Sequence, residues 1–156
     1  MQYRFEDFIA GVAPAYRKFV VNIHESLLRD SYNIKIESKI SGMTASYAHP
    51  KTRRNVLSFF FRKANLLTRV YADNLAQYTG FLNRLPEKME KEIAKASLCK
   101  RLVNPDECNP KCIKGYDFFV RKNHYQKCRY NCFQFEVNAE SIPVLADFIE
   151  NERKER

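Results

Sequence analysis

The chain contains no tryptophan and only four glycines in 156 residues. So few glycines leave no Gly-rich phosphate loop, and G-x-S-x-G and H-E-x-x-H are absent as well. Phosphate-loop chemistry, the hydrolase elbow and the helical zinc peptidase therefore have no motif here, and the expectation leans away from an enzyme. No apolar run approaches the roughly 20 residues of a membrane-spanning helix. Glu6 and Asp7 interrupt the opening "MQYRFEDFIAGVAPAYRK" where a secretory signal would be continuously apolar, so a cytoplasmic protein is expected. Acid is scarce over residues 31–72, where Lys35, Lys39, Lys51, Arg53, Arg54, Arg62, Lys63 and Arg69 face Glu37 alone. Residues 139–156 carry five acids against three bases, so the net charge of +9 belongs to the middle of the chain.

Nine tyrosines and 12 phenylalanines replace the missing tryptophan as bulk, and 45% hydrophobic with 29% charged residues is an ordinary globular composition. One domain over 1–156 is expected, with a helix–sheet–helix core over 1–98 and an extension over 99–156. In "AYRKFVVNIHESLLRD" the spacing of Tyr16, Val20, Ile23 and Leu27 predicts a helix opened by Pro14. "YNIKIESKI" alternates instead, with Tyr32, Ile34, Ile36, Ser38 and Ile40 on one side and Asn33, Lys35, Glu37 and Lys39 on the other. "MTASYA", "NVLSFFFRK" and "NLLTRVYA" read as three more strands, and their short spacers favour antiparallel pairing. "DNLAQYTGFLNRL" and "PEKMEKEIAKAS" read as helix, "GYDFFVRKNHYQKCRYNCFQFEV" as a hairpin turning near Lys122-Asn123, and "SIPVLADFIENERKER" as a helix capped by Ser141. The expected class is α+β: a mostly antiparallel four-stranded sheet flanked by helices, with a Cys-containing β-hairpin and a C-terminal helix packed on it.

All five cysteines fall between residues 99 and 132, spaced C-x8-C-x3-C-x15-C-x3-C. In a reducing compartment such a cluster points to metal before disulfides. A tetrahedral zinc thiolate site, with Zn–S of about 2.3 Å, needs its sulfurs within roughly 4 Å of one another. If "QKCRYNCFQFEV" is a strand, Cys128 and Cys132 lie on one face about 13 Å apart and cannot share an ion. "CNPKC" bends at Asn109-Pro110 and can bring Cys108 and Cys112 together, and Cys99, at a helix end, can close the set. The expected ligands of one structural Zn2+ are Cys99, Cys108, Cys112 and Cys128, with Cys132 a core residue. His124 or Cys132 replacing one ligand stays open, as do plain buried thiols. A redox pair is disfavoured because CxxxC lacks the two-residue spacing of thioredoxin-type motifs.

The basic stretch is the second candidate. Lys35, Lys39, Arg53, Arg54, Arg62 and Arg69 can meet phosphate or carboxylate, and Tyr71 can offer a ring to a base or ligand. The same alternation also describes an ordinary solvated sheet face. "VLSFFFRK" is apolar on both sides, with Val56 and Phe60 opposite Leu57, Phe59 and Phe61, so part of the second face is expected to be covered. The function expected from these features is a non-enzymatic, zinc-stabilised binding protein taking an anionic small molecule or partner on a basic sheet. The alternative is a nucleic-acid-binding protein using the same surface. His24, His49 and His124 stand near no nucleophile motif.

The order helix, short strands, helix over about residues 14–95 resembles the YdhG-type domains. The stretches "YAHPKT", "FFFRK", "VYADN", "CNPKC", "GYDF" and "YQKCRYN" are similar to stretches of small bacterial proteins in which thiols equivalent to Cys99, Cys108, Cys112 and Cys128 recur. The resemblance implies a fold and a metal site at those four residues, with Cys132 outside the pattern, and no activity.

Overall fold

A computed structural model describes residues 2–154. Two helices open the chain, α1 (Phe5–Ile9) and α2 (Pro14–Arg29). Pro14 sits in the first turn of α2, where its missing N–H would have had no helical partner. Four strands follow: β1 (Asn33–Lys39), β2 (Gly42–Ala48), β3 (Asn55–Arg62) and β4 (Asn65–Val70). Lys63 and Ala64, both left-handed at φ 51° and 67°, form the two-residue turn between β3 and β4. After α3 (Glu87–Lys95) and the short α4 (Lys100–Val103) come β5 (Tyr116–Val120), β6 (Asn123–Lys127), β7 (Gln134–Glu136) and α5 (Ile142–Lys154).

The main sheet is antiparallel throughout, in the order β1-β2-β3-β4-β7, and β5 and β6 form a separate hairpin. Register assigns its two sides. Ile36, Ala45, Phe59, Thr68 and Phe135 make one row across five strands and face the core. Phe8 of α1 and Phe19 of α2 meet Phe59 there, with ring centroids 6.3 and 6.1 Å apart. Phe148 of α5 packs on Phe133 and Phe81 at 5.1 and 4.9 Å. The neighbouring row is Lys35, Ser46, Ser58, Arg69 and Gln134. It lies on the opposite, polar side, because side chains alternate along each strand. His24 is a packing residue: it stacks on Phe5 at 3.5 Å and shares a 2.8 Å hydrogen bond with Tyr47 Oη, and burial lowers its pKa.

The α+β class holds, with four departures in detail. "DNLAQYTGFLNRL" forms 3-10 turns (Leu75–Gln77 and Thr79–Arg84) where an α-helix was expected. Leu75, Tyr78 and Phe81 recur at intervals of three, the period of that tighter helix. The buried Glu152 carboxylate also draws the segment onto α5, accepting from the Asn74 backbone and side chain and from Tyr78 Oη at 2.6–3.1 Å. The sheet has a fifth strand, because the chain leaves the hairpin after Lys127, turns, and returns as β7 beside β4. The hairpin turn is Arg121–Lys122, one residue early, with Arg121 left-handed at φ 54°. The cap of α5 is Asn138, whose Oδ1 takes the N–H groups of Glu140 and Ser141, while Ser141 Oγ reaches back to the Asn138 N–H.

Candidate metal centre and basic face

The cysteine region is tied to α3 by one lysine. Lys127 Nζ donates to the carbonyls of Ala94 and Ala96 at 2.9 Å, satisfying the C-terminal end of α3. Leu98 then pairs antiparallel with Lys127; the Cys99 N–H donates to Gln126 O and the Cys128 N–H to Ser97 O, at 3.0 and 2.7 Å. This single β-bridge at the end of β6 sets Cys99 diagonally across from Cys128. Diagonal neighbours on a sheet lie roughly 7–8 Å apart, within reach of side chains that turn towards each other.

The other two thiols come from a turn. Cys112 N–H donates to Asn109 O, and Asn109 Oδ1 accepts from Lys111 N–H, both at 2.9 Å. The Arg101 guanidinium clamps this turn through the carbonyls of Pro110 and Cys112. The chain returns at Gly115, whose N–H donates to Cys99 Sγ at 3.1 Å. All five cysteines are free thiols. The Cys112 thiol is pushed up in pKa first by burial, then by Cys108, which is also its hydrogen-bond partner, and by Cys128 and Cys99. Thiols from three separate stretches therefore lie within electrostatic reach of one sulfur. Among the described residues no three His, Cys, Asp or Glu side chains already stand in ligating geometry. The donor types and their neighbourhood suit zinc; the tetrahedral closure is not preformed.

Cys132 is fully buried, and its thiol is raised well above the ordinary range, chiefly by burial. The strand argument that set it aside does not hold: Cys128–Phe133 is a turn, with Cys132 N–H bonded to Cys128 O at 3.0 Å. Its place in the hydrophobic core cluster, and not strand spacing, sets Cys132 apart; Cys99 is also buried, but outside that cluster. His124 is held elsewhere, with Nε2 2.5 Å from Asp117 Oδ1 and its ring stacked on Phe119 at 4.6 Å. Hydrogen bonds from His124 and Gln126 keep the Asp117 carboxyl below its usual range.

The basic residues are dispersed. Lys35 and Lys39 pair with Glu37 at 3.0 and 3.5 Å on the exposed edge strand β1. Arg53 lies exposed and left-handed in the β2–β3 turn, and Arg54 pairs with Asp73 at 3.6 Å. Arg62 and Arg69 flank the Phe60 ring at 5.8 and 4.8 Å from its centroid. Arg69 also donates to Gln134 Oε1 through Nε and Nη2, at 3.1 and 2.7 Å. Neither arginine has a carboxylate partner among the described residues, whereas Lys35, Lys39 and Arg54 do.

Tyr71 is a correction to the expected stacking surface. It is 5% exposed, lies under the Arg129 guanidinium at 5.1 Å and meets Tyr130 edge-on. Arg129 itself is buried and ion-paired with Asp73. The turn after β6 thus covers this end of the second sheet face, and Tyr71 presents no ring to a base.

Lys88, Lys91 and Lys95, interleaved with Glu87, Glu90 and Glu92, read in the sequence as a solvated helix face and not as a binding surface. They line a groove of about 810 Å³ between α3 and the β4–β7 edge of the sheet. Their spacing of three and four residues was the available signal, since it places them on one helical stripe. Comparison with known proteins finds no matching family model, no similar curated protein and no similar solved structure.

Proposed function

We propose that the chain is a non-enzymatic, zinc-stabilised binding protein of the cytoplasm that holds an anionic ligand or partner against the basic side of its sheet. Cys99, Cys108, Cys112 and Cys128 would hold one zinc ion. Four thiolates fill a tetrahedral shell and leave no place for a reactive water, so the ion's contribution is to the fold. The observation that carries this reading is the backbone arrangement: the Leu98–Lys127 bridge sets Cys99 diagonally beside Cys128, and the Asn109 turn, clamped by Arg101, brings Cys108 to Cys112. The kinship with YdhG-type domains belongs to the same proposal.

The anionic half rests on Arg62 and Arg69, two guanidinium groups beside Phe60 without a carboxylate partner among the described residues. Nucleic acid on the same face is the weaker alternative, because buried Tyr71 removes its stacking surface.

Elemental analysis of protein purified without chelator tests the metal, with about one zinc per chain expected. Cys108→Ala or Cys112→Ala should lose it and Cys132→Ala should keep it; five titratable thiols and no metal would refute the site. Pyrophosphate at low salt should raise the melting temperature of the wild type but not of the Arg62→Gln, Arg69→Gln double variant. Equal shifts in both would leave this face a solvated surface. A polyuridylate that binds with a steep salt dependence would favour the nucleic-acid alternative.

A further inference from the structure

We infer that the groove between α3 and the free edge of β7 binds an extended acidic peptide segment, which joins the sheet as a sixth strand. This rests on the reading of the protein as a binder of anionic partners and specifies a partner class and a place.

The main chain of β7 supplies the first argument. Val70 N–H bonds to Phe133 O and Val137 N–H to Leu66 O, at 3.0 and 2.8 Å. In an antiparallel ladder, hydrogen-bonded pairs alternate with pairs whose backbone groups point away. Phe133, Phe135 and Val137 therefore address β4, while the N–H and C=O of Gln134 and Glu136 point out from the sheet edge into the groove. Glu136 O is taken by Ser141 Oγ at 2.6 Å. The Gln134 N–H, the Gln134 C=O and the Glu136 N–H have no protein partner among the described residues. Two donors and an acceptor spaced two residues apart are what an incoming strand pairs with. A nucleic acid has no complementary main chain to offer them.

Charge supplies the second. Lys88, Lys91 and Lys95 run along the opposite wall over about 10 Å of helix. With Arg62 and Lys63 they make five basic residues against three acidic ones around the groove. All three wall lysines are already ion-paired, Lys88 with Glu140 and Lys95 with Glu92 at 3.3 Å and Lys91 with Glu87 at 3.6 Å, but each pair is well exposed and therefore weak, so a ligand carboxylate can replace it. An extended peptide places alternate side chains about 7 Å apart on one side, so acidic residues at every second position can face the lysines while its backbone pairs with β7.

The test uses the full-length protein and a fluorescein-labelled peptide of three Glu-Val repeats. Controls are three Lys-Val repeats, the Glu-Val peptide N-methylated at alternate amides, and hexathymidylate. The Glu-Val peptide should bind at roughly micromolar Kd, and the other three at least about tenfold more weakly. The triple variant Lys88→Ala, Lys91→Ala, Lys95→Ala should weaken the Glu-Val peptide by a similar factor. In amide NMR the Gln134 and Glu136 signals should shift and gain exchange protection on binding. Hexathymidylate binding as tightly as the peptide, undiminished affinity after N-methylation, or unmoved Gln134 and Glu136 amides at millimolar peptide would each overturn the inference. Zinc content and the pyrophosphate shift through Arg69 report separately on the broader reading, so either can fail alone.

Discussion

Gly115 is where the hairpin, the Leu98–Lys127 bridge and the chain returning from the Asn109–Cys112 turn meet, and Gly115→Ala probes that junction. A methyl group there would clash with the Lys127 carbonyl oxygen and lie 2.9 Å from Cys99 Cβ. The first neighbour is backbone, and the second belongs to a side chain fixed at its root, so no rotamer change relieves either contact. Overpacking of this kind costs about 1–3 kcal/mol, and the upper end applies where the backbone must move. At about 2–4 °C per kcal/mol for a chain of this size, a loss of about 3 kcal/mol lowers the melting temperature by about 6–12 °C. The displaced backbone also withdraws the Gly115 N–H from Cys99 Sγ, and with zinc held as proposed, loss of such a hydrogen bond would weaken metal binding about 10–100-fold. Calorimetry and zinc competition with a chromophoric chelator measure the two effects. Gly11→Ala is the matched control, since its methyl would meet only Phe8 O and Phe61 at 3.6–3.9 Å, ordinary contact distances, and should cost little. A Gly115→Ala protein that melts with the wild type would show that the Asn109–Cys112 turn is not seated on the hairpin in this way.

Thr68 carries a fully buried hydroxyl with no hydrogen-bond partner among the described residues, on the core side of β4. Thr68→Val keeps its shape and removes the orphan, so stability should rise by about 1 kcal/mol in chemical denaturation; a loss would mean the hydroxyl is satisfied. The Glu90 carboxylate accepts from Asn123, Tyr125 and Arg121, and these bonds, led by Asn123, hold its pKa below the usual range. A depressed folded pKa contributes stability above the unfolded value and loses it as the pH falls through the folded one. Glu90→Gln should therefore cost about 2 kcal/mol near neutral pH, with the difference from wild type shrinking below about pH 5. A gap that stays constant from pH 7 to pH 3 would assign the effect to packing.

Local patterns in the sequence determined a good deal: the alternation of "YNIKIESKI", the apolar stripe of α2, the position of Pro14 and the division of β3 between two sheet faces. These depend on neighbours within a turn or two, where backbone geometry alone dictates which side chains share a side. The grouping of Cys108 with Cys112 belongs to the same class, because Asn109 and Pro110 shape a turn from within. What packing decided lies between distant segments. The Leu98–Lys127 pairing brings Cys99 beside Cys128, Glu152 draws Asn74 and Tyr78 into 3-10 turns, and Arg129 covers Tyr71. β7 was hidden because a three-residue strand has too short a period to announce itself, and its place beside β4 follows from burying Phe133 and Phe135 under α5 and the hairpin. A residue's own pattern says which side it turns to water; only the assembled core determines what reaches that side first, because pairing over long separations is selected by the surface that it buries.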